Sequence, residues 1–133
     1  MRSLATLVAL SLVAGGSAVA TAKRDLNAVP AARATGPAVS CVPLTQIRES
    51  RVRNDRVIDF RVSGKKWYRN TLPSDCPSLG FEERFSYKTS LNQLCSSDII
   101  TVLYSGGPGL QRGASCGLGK FEPVEIEKKV AAR

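Results

Sequence analysis

The fold class of this chain is decided by residues 57–72, which read VIDFRVSGKKWYRNTL. Apolar and charged residues alternate over residues 57–62, which is typical of a half-buried β-strand. The apolar residues that share one face of this strand are Ile58, Phe60 and Val62. Residues 66–72 are rich in aromatic and β-favouring types, and Ser63-Gly64 lies between the two runs. The stretch therefore predicts an antiparallel β-hairpin.

The sequence leaves open which face of the second strand is buried. A loop of two, three or four residues fits between the two runs, and a one-residue slip in pairing exchanges the two faces of a strand. Either Trp67 or Tyr68 therefore faces the core.

Further short strands are expected near residues 44–52, 81–87, 99–104 and 116–124, each bounded by turn residues. No run of ten or more residues has the apolar period of an amphipathic helix. We expect an all-β domain of five or six strands, arranged as a small antiparallel barrel or as a curled sheet.

The start of the chain has the order of a secretory signal peptide. A positive charge at Arg2 precedes an apolar run over residues 4–14, and the small residues SAVA follow at 17–20. The run is too short to span a bilayer. We expect cleavage after Ala20, with Ala22 as the alternative, and a periplasmic or secreted protein without a transmembrane segment in its mature form.

The remainder of the chain divides by composition. Residues 21–40 are rich in alanine and proline without a sustained apolar period, and they predict a flexible leader. Residues 41–124 form the expected single domain, and residues 125–133 form a C-terminal tail.

All four cysteines lie inside the expected domain: Cys41, Cys76, Cys95 and Cys116. An even number of cysteines in a small exported domain indicates two disulfides that stabilise a limited core. A metal site is disfavoured, because the chain has no histidine and no C-x-x-C pair. Spacing leaves three pairings open. We expect Cys41–Cys116, tying the first strand to the last, and Cys76–Cys95, closing the middle loop.

The glycine-rich stretch YSGGPG at residues 104–109 resembles the oxyanion loop of some hydrolases. That chemistry also needs a nucleophile elbow and a histidine base, and the chain has neither. We therefore predict that Gly106, Gly107 and Gly109 are turn residues with positive φ. Asp98, placed just before an apolar strand, is expected to cap a turn. The sequence predicts no enzyme, no metal and no cofactor.

Positive charge is concentrated in the hairpin region. Residues 44–72 contain eight basic and three acidic residues, whereas residues 73–124 contain four basic and five acidic. A basic face with aromatic residues beside it is typical of a site for polyanions. The candidate binding residues are Arg51, Arg53, Arg61, Lys65, Lys66, Trp67 and Arg69. Anionic envelope glycans or lipid headgroups, or a periplasmic protein, are the expected partners, and nucleic acid is not expected in an exported protein.

Several stretches also resemble one known family. They are CVPL at 41–44, IDF at 58–60, WYRNTL at 67–72 with CPSL at 76–79, LCSSDII at 94–100 and CGLGKFEP at 116–123. Together they look like a family of small exported Gram-negative bacterial proteins known only as a domain of unknown function. The resemblance implies periplasmic placement and a shared disulfide-bonded fold, and it implies no catalytic residue, ligand or reaction.

Two hypotheses on function follow. The first is a non-enzymatic binding module of the cell envelope that uses the basic, aromatic-bearing hairpin. The alternative is an inhibitor or accessory partner of an envelope enzyme, with residues 105–113 as the contact.

Overall fold

The computed structural model describes residues 29–89 and 91–127. The predicted signal peptide and its cleavage site lie outside the described residues, as do residues 21–28 of the leader, Ser90 and residues 128–133. No helix within the described ranges is long and apolar enough to cross a membrane.

Ten strands form three antiparallel sheets in the described part of the chain. They are β1 Ala32–Ala34, β2 Cys41–Pro43, β3 Glu49–Val52, β4 Val57–Ser63, β5 Lys66–Thr71, β6 Phe85–Tyr87, β7 Gln93–Cys95, β8 Ile99–Tyr104, β9 Gln111–Gly117 and β10 Phe121–Ile126. The large sheet has the order β1-β10-β5-β4-β3, and the small sheets are β2-β7 and β6-β8-β9. A 3-10 turn at Leu44–Gln46 and one helical turn, α1 Leu79–Glu82, interrupt the strands.

The all-β antiparallel prediction is confirmed. Within the described ranges none of the three sheets closes on itself, so a curled sheet describes the fold and a barrel does not. The strands are more numerous than the five or six expected, because β1, β2 and β7 lie outside the predicted runs and the run at 116–124 contributes to two strands.

Three of those runs differ from expectation. The run at 44–52 is a 3-10 turn followed by β3, and the run at 81–87 begins in α1 and becomes a strand only at Phe85. The run at 116–124 is split between β9 and β10 by Leu118–Lys120.

The hairpin of residues 57–72 is confirmed as β4 and β5. Its loop has two residues, Gly64 and Lys65. Gly64 has a φ of 52°, in the left-handed region that glycine adopts without steric cost. A β-bulge lies between Arg61 and Ser63, and Val62, the residue between them, is buried.

The pairing register decides which aromatic residue faces the core. Tyr68 lies opposite Phe60, which is fully buried, and packs against the core. Trp67 lies opposite Arg61 and therefore points to the other, outward face of the large sheet.

The core fills the space between the inner face of the large sheet and the two small sheets. Phe60 is at its centre, with ring centroids 5.6 Å from Phe121 and 6.4 Å from Phe85. Each buried side chain of this kind contributes about 1.5–3 kcal/mol. The buried members of the cluster are Val42, Ile58, Phe60, Val62, Leu72, Cys76, Leu79, Leu94, Ile100, Val102, Leu118 and Phe121.

One buried amide joins the hairpin to the turn before β10. Asn70 is fully buried; its side-chain nitrogen donates to Gly119 O at 2.7 Å, and its side-chain oxygen accepts from Gly119 N at 2.8 Å. A Cβ on Gly119 would lie 2.1 Å from Thr71 O, so only glycine fits there. The pair attaches β5 to the chain that leads into its neighbour β10.

The predicted disulfide pairing is wrong. The disulfides are Cys41–Cys95 and Cys76–Cys116, with Cα atoms 4.0 Å and 5.9 Å apart. Cys41 and Cys95 are directly opposite in the pairing of β2 with β7. Neither of these three-residue strands is predicted from the sequence, and the pairing depends on the contact between them.

The folded unit is larger than residues 41–124. β1 lies in the segment expected to be a flexible leader, and β10 continues to Ile126, inside the expected tail. The two strands pair, with Ala34 opposite Val124 and Ala32 opposite Ile126. A short edge strand is held by backbone hydrogen bonds, which do not depend on the type of side chain. Its sequence therefore shows no apolar period.

Candidate functional site

A groove of about 770 Å³ lies on the outward face of the large sheet. It contains five of the seven candidate binding residues: Arg51, Arg53, Arg61, Lys65 and Trp67. Arg51, Arg61 and Trp67 lie on β3, β4 and β5, whose register sets Arg51 opposite Asp59 and Arg61 opposite Trp67. Arg53 follows the end of β3, and Lys65 is in the hairpin loop. The groove is thus built on the predicted hairpin.

The other two candidates are not in the groove lining. Arg69 is on the same sheet face but forms an ion pair with the buried Asp59. Lys66 alternates with Trp67 along β5 and lies with Tyr68, its Nζ 5.8 Å from the centroid of the Tyr68 ring. Lys65 and Lys66 are neighbours in sequence, yet only Lys65 lines the groove.

A buried carboxylate organises this face. The Asp59 side chain is 0% exposed, and Arg53 Nε donates to its Oδ2 at 2.8 Å. Arg69 donates from Nε to Oδ1 at 2.8 Å and from Nη2 to Oδ2 at 3.0 Å. Both oxygens of Asp59 are therefore paired, which a buried charge requires.

The chain that precedes β1 covers part of this cluster. Arg69 Nη2 also donates to Pro30 O at 2.9 Å. Among the described residues no buried side-chain nitrogen or oxygen lacks a hydrogen-bond partner. Arg69 therefore acts as a bridge between Asp59 and the N-terminal segment.

A second carboxylate, Glu49, joins two arginines at the solvent-exposed part of the face. Glu49 accepts hydrogen bonds from Nε of Arg51 and from Nε of Arg61, the second at 3.1 Å. The hydrogen bond from Arg51, followed by that from Arg61, lowers the pKa of the Glu49 carboxyl below its ordinary value. The Glu49 carboxyl thus stays ionised at a lower pH than an ordinary glutamate does.

Trp67 is the aromatic surface of the groove. The guanidinium carbons of Arg51 and Arg53 lie 5.7 and 5.8 Å from its ring centroid, within the range of cation–π attraction. The ring therefore helps to position both side chains, whose Nε atoms are held by the two carboxylates.

The far end of the groove was missed by sequence analysis. It is lined by Arg33 of β1 and by Glu125, Ile126 and Glu127, from the segments expected to be leader and tail. Arg33 and Glu125 form an exposed ion pair at 2.8 Å. No pattern in the sequence marks these residues, because their place depends on the pairing of β1 with β10. The groove lining contains five basic and three acidic residues.

The other predicted motifs are structural. Asp98 Oδ2 accepts the backbone N–H of Cys95 at 2.7 Å, which confirms the turn-capping prediction. The glycine-rich loop between β8 and β9 is exposed, but only Gly109 has a positive φ, of 86°; the same prediction for Gly106 and Gly107 is wrong. Residues 29–89 and 91–127 contain no group of three or more His, Cys, Asp or Glu residues that could hold a metal ion.

Comparisons of the chain with protein-family models, with curated proteins and with solved structures found no match in any of the three.

Proposed function

We propose that this protein is a non-enzymatic binding module of the cell envelope, which receives anionic groups of a glycan or of a lipid headgroup in the groove over Trp67. The observation that carries the proposal is the arrangement of Arg51 and Arg53 against one aromatic ring, with each guanidinium held by a carboxylate.

The arginine side chains of this face are held in place, which favours a role in binding a ligand over a role in solubility alone. Long arginine side chains lose conformational entropy when a ligand fixes them, and a site that already holds them loses less. Here the ion pairs with Glu49 and Asp59 hold the arginines before a ligand arrives. Charged side chains that served only solubility would not need a fully buried carboxylate beneath them.

The proposal includes the compartment in which the protein acts. Both disulfides are compatible with an oxidising compartment outside the cytoplasm. In this proposal a cleaved signal peptide exports the protein to the periplasm. The protein is then related to the Gram-negative family that its cysteine-containing motifs resemble.

The two adjacent lysines of the hairpin provide a matched test. In K65E and K66E the net charge changes equally, but only Lys65 lines the groove. Binding of the oxidised protein is measured by co-sedimentation with phosphatidylcholine vesicles containing phosphatidylglycerol, and on an array of anionic envelope polysaccharides. We expect K65E to weaken binding at low salt and K66E to leave it nearly unchanged. Equal weakening would assign binding to net charge, and absence of binding in the parent protein would refute the proposal.

The alternative, an inhibitor or accessory partner of an envelope enzyme, has one observation in its favour. Residues 105–110, which join β8 to β9, are all exposed, and Leu110 is 58% exposed. Such a loop presents backbone and an apolar side chain to a protein partner. Deleting residues 106–109 should abolish capture of a partner from periplasmic extract, with K65E as the control that should retain it. Retention after the deletion would eliminate this alternative.

A further inference from the structure

We propose that the groove binds a phosphate monoester, held by the terminal Nη nitrogens of Arg51, Arg53 and Arg61. This inference deepens the proposed function and rests on it, because it names the anion that the same groove receives.

The first argument is the hydrogen-bonding state of the three guanidinium groups. Each uses its Nε to donate to a carboxylate: Arg51 and Arg61 to Glu49, and Arg53 to Asp59. A guanidinium group has five N–H donors, of which four are on the two Nη atoms. In the described part of the chain no hydrogen bond involves an Nη atom of these three residues. The Nε donors fix the three side chains, which remain 54%, 15% and 35% exposed for Arg51, Arg53 and Arg61.

The second argument is convergence. Arg61 is the cross-strand partner of Trp67, and Arg51 and Arg53 both lie within 6 Å of the Trp67 ring centroid. All three arginines line the same groove. β3, the turn that follows it and β4 therefore bring three arginines to the face of the sheet on which Trp67 of β5 lies.

The third argument is the charge balance. The two carboxylates next to Trp67 are each shared by two arginines: Glu49 pairs with Arg51 and Arg61, and Asp59 pairs with Arg53 and Arg69. Each set of three groups therefore has one positive charge in excess. Two such sets match a phosphate monoester, whose charge near neutral pH is about −1.5 to −2. A carboxylate ligand, with a single charge, would leave one excess charge unpaired.

Geometry also favours phosphate. The planar guanidinium fork donates two parallel hydrogen bonds to two oxygens of one phosphate, and a phosphate monoester offers three outer oxygens. Lysine at the same positions would offer point charges without this fork. The prediction is therefore specific to arginine, and R51K and R61K test it at constant charge.

The experiment is calorimetric titration of the oxidised full-length mature protein at low salt. The probes are glucose 6-phosphate, inorganic phosphate, glucose 6-sulfate and glucuronate. We expect the two phosphates to bind, and the R51K and R61K variants to weaken that binding at least about tenfold, the effect of losing one charge-assisted hydrogen bond. The matched control K66R, on the other face, should bind as the parent does.

A pH series gives an independent readout. The second pKa of a phosphate monoester is about 6. Binding of glucose 6-phosphate should therefore weaken between pH 7.5 and pH 5, whereas binding of glucose 6-sulfate, whose charge is constant over this range, should not.

The source of the phosphate is distinguished by vesicles. Phosphatidylcholine vesicles with phosphatidic acid present a lipid phosphate monoester, and those with phosphatidylglycerol present a diester at equal charge density. Preference for phosphatidic acid with weak binding of glucose 6-phosphate identifies a membrane source, and the reverse identifies a soluble phosphorylated sugar. Either result supports the inference.

The contradicting outcomes distinguish failure of the phosphate inference from failure of the binding-module proposal. If glucuronate or anionic polysaccharides bind as well as phosphate does, or if R51K and R61K bind phosphate as the parent does, the phosphate inference is wrong and the binding-module proposal stands. If no anion, vesicle or polysaccharide binds, both are wrong.

Discussion

The large sheet and the two small sheets are held together by different means. All five ion pairs among the described residues join groups of the large sheet or of the turn beside it, whereas both disulfides lie in the small sheets and the loop next to them. β8 and β9 are instead joined on their outward side by a hydrogen bond between the hydroxyls of Thr101 and Ser115, at 3.0 Å. One part of the molecule depends on paired charge and the other on covalent links.

The physical reason for the difference is the size of each sheet. Five strands in register can surround a carboxylate with partners on both sides, as β3 to β5 do for Asp59. Sheets of two or three strands cannot surround a charge in this way, and disulfides supply the stability that their small buried surface does not. The ion-paired sheet is also the one that contains the groove.

Close packing also joins β8 to β9. The ring of Tyr104 covers Gly113 of β9, where a Cβ would meet the ring at 2.0 Å. An aromatic ring that covers a strand glycine supplies the contact that the missing side chain does not. Four sets of substitutions test this contrast between the sheets, from the largest expected effect to the smallest.

The largest effect is expected from D59N, which removes the charge that Arg53 and Arg69 both pair with. Breaking a buried ion pair on one side leaves an unpaired charge and typically costs about 3–5 kcal/mol. The free energy of unfolding is measured by urea denaturation. E125Q, which breaks the exposed pair with Arg33, is the control and should cost at most about 1 kcal/mol. Equal losses in the two variants would show that the buried cluster does not stabilise the large sheet.

The second prediction concerns the disulfide of the three-stranded sheet. A double variant, C76A with C116A, should lose about 2–4 kcal/mol of stability, because the unfolded chain is no longer constrained. Amide hydrogen exchange then locates the effect. Exchange in β9 should accelerate more than exchange in β4 and β5. Uniform acceleration would contradict the idea that the disulfides stabilise the small sheets in particular.

The third prediction concerns the buried amide pair of Asn70 and Gly119. G119A places a Cβ 2.1 Å from Thr71 O and pushes the chain away from Asn70. Leaving a buried amide unpaired costs about 1–3 kcal/mol. The control is G117A, since nothing lies within 4 Å of a Cβ at that glycine. Thermal unfolding should separate the two variants, and equal melting temperatures would rule out the steric argument.

The smallest effect is expected from E49Q and is seen in pH dependence. Because the two arginines lower the pKa of Glu49 from its ordinary 4.5 in the folded state, its ion pairs stabilise the fold above that range. This contribution is lost as pH falls through the lowered pKa. The difference in stability between the parent and E49Q should therefore be small but constant above about pH 5, and should shrink in more acidic solution. A difference that grew with acidity would have the wrong sign.

Prediction from sequence was most successful for strands whose own residues show an alternating, aromatic or apolar pattern. The alternation in β4, the aromatic run of β5 and the apolar run of β8 were each placed within one residue of their observed ends. The turn-capping role of Asp98 was likewise predictable, because a carboxylate and the backbone N–H it accepts lie three residues apart.

Prediction failed where the information lies in pairing between distant segments. The Cys41–Cys95 disulfide depends on β2 meeting β7, and the far end of the groove depends on β1 meeting β10. Three-residue strands carry too few side chains to show a period, so the sequence does not mark them.

The amino-acid sequence alone determined the all-β class, the hairpin at residues 57–72 and the concentration of basic residues within it, because alternation and composition are local properties. Only the tertiary structure decided which cysteines pair, that Trp67 faces outward, and that Glu49 and Asp59 are each shared by two arginines. These facts follow from strand register, and register is set by contacts between residues far apart in the chain.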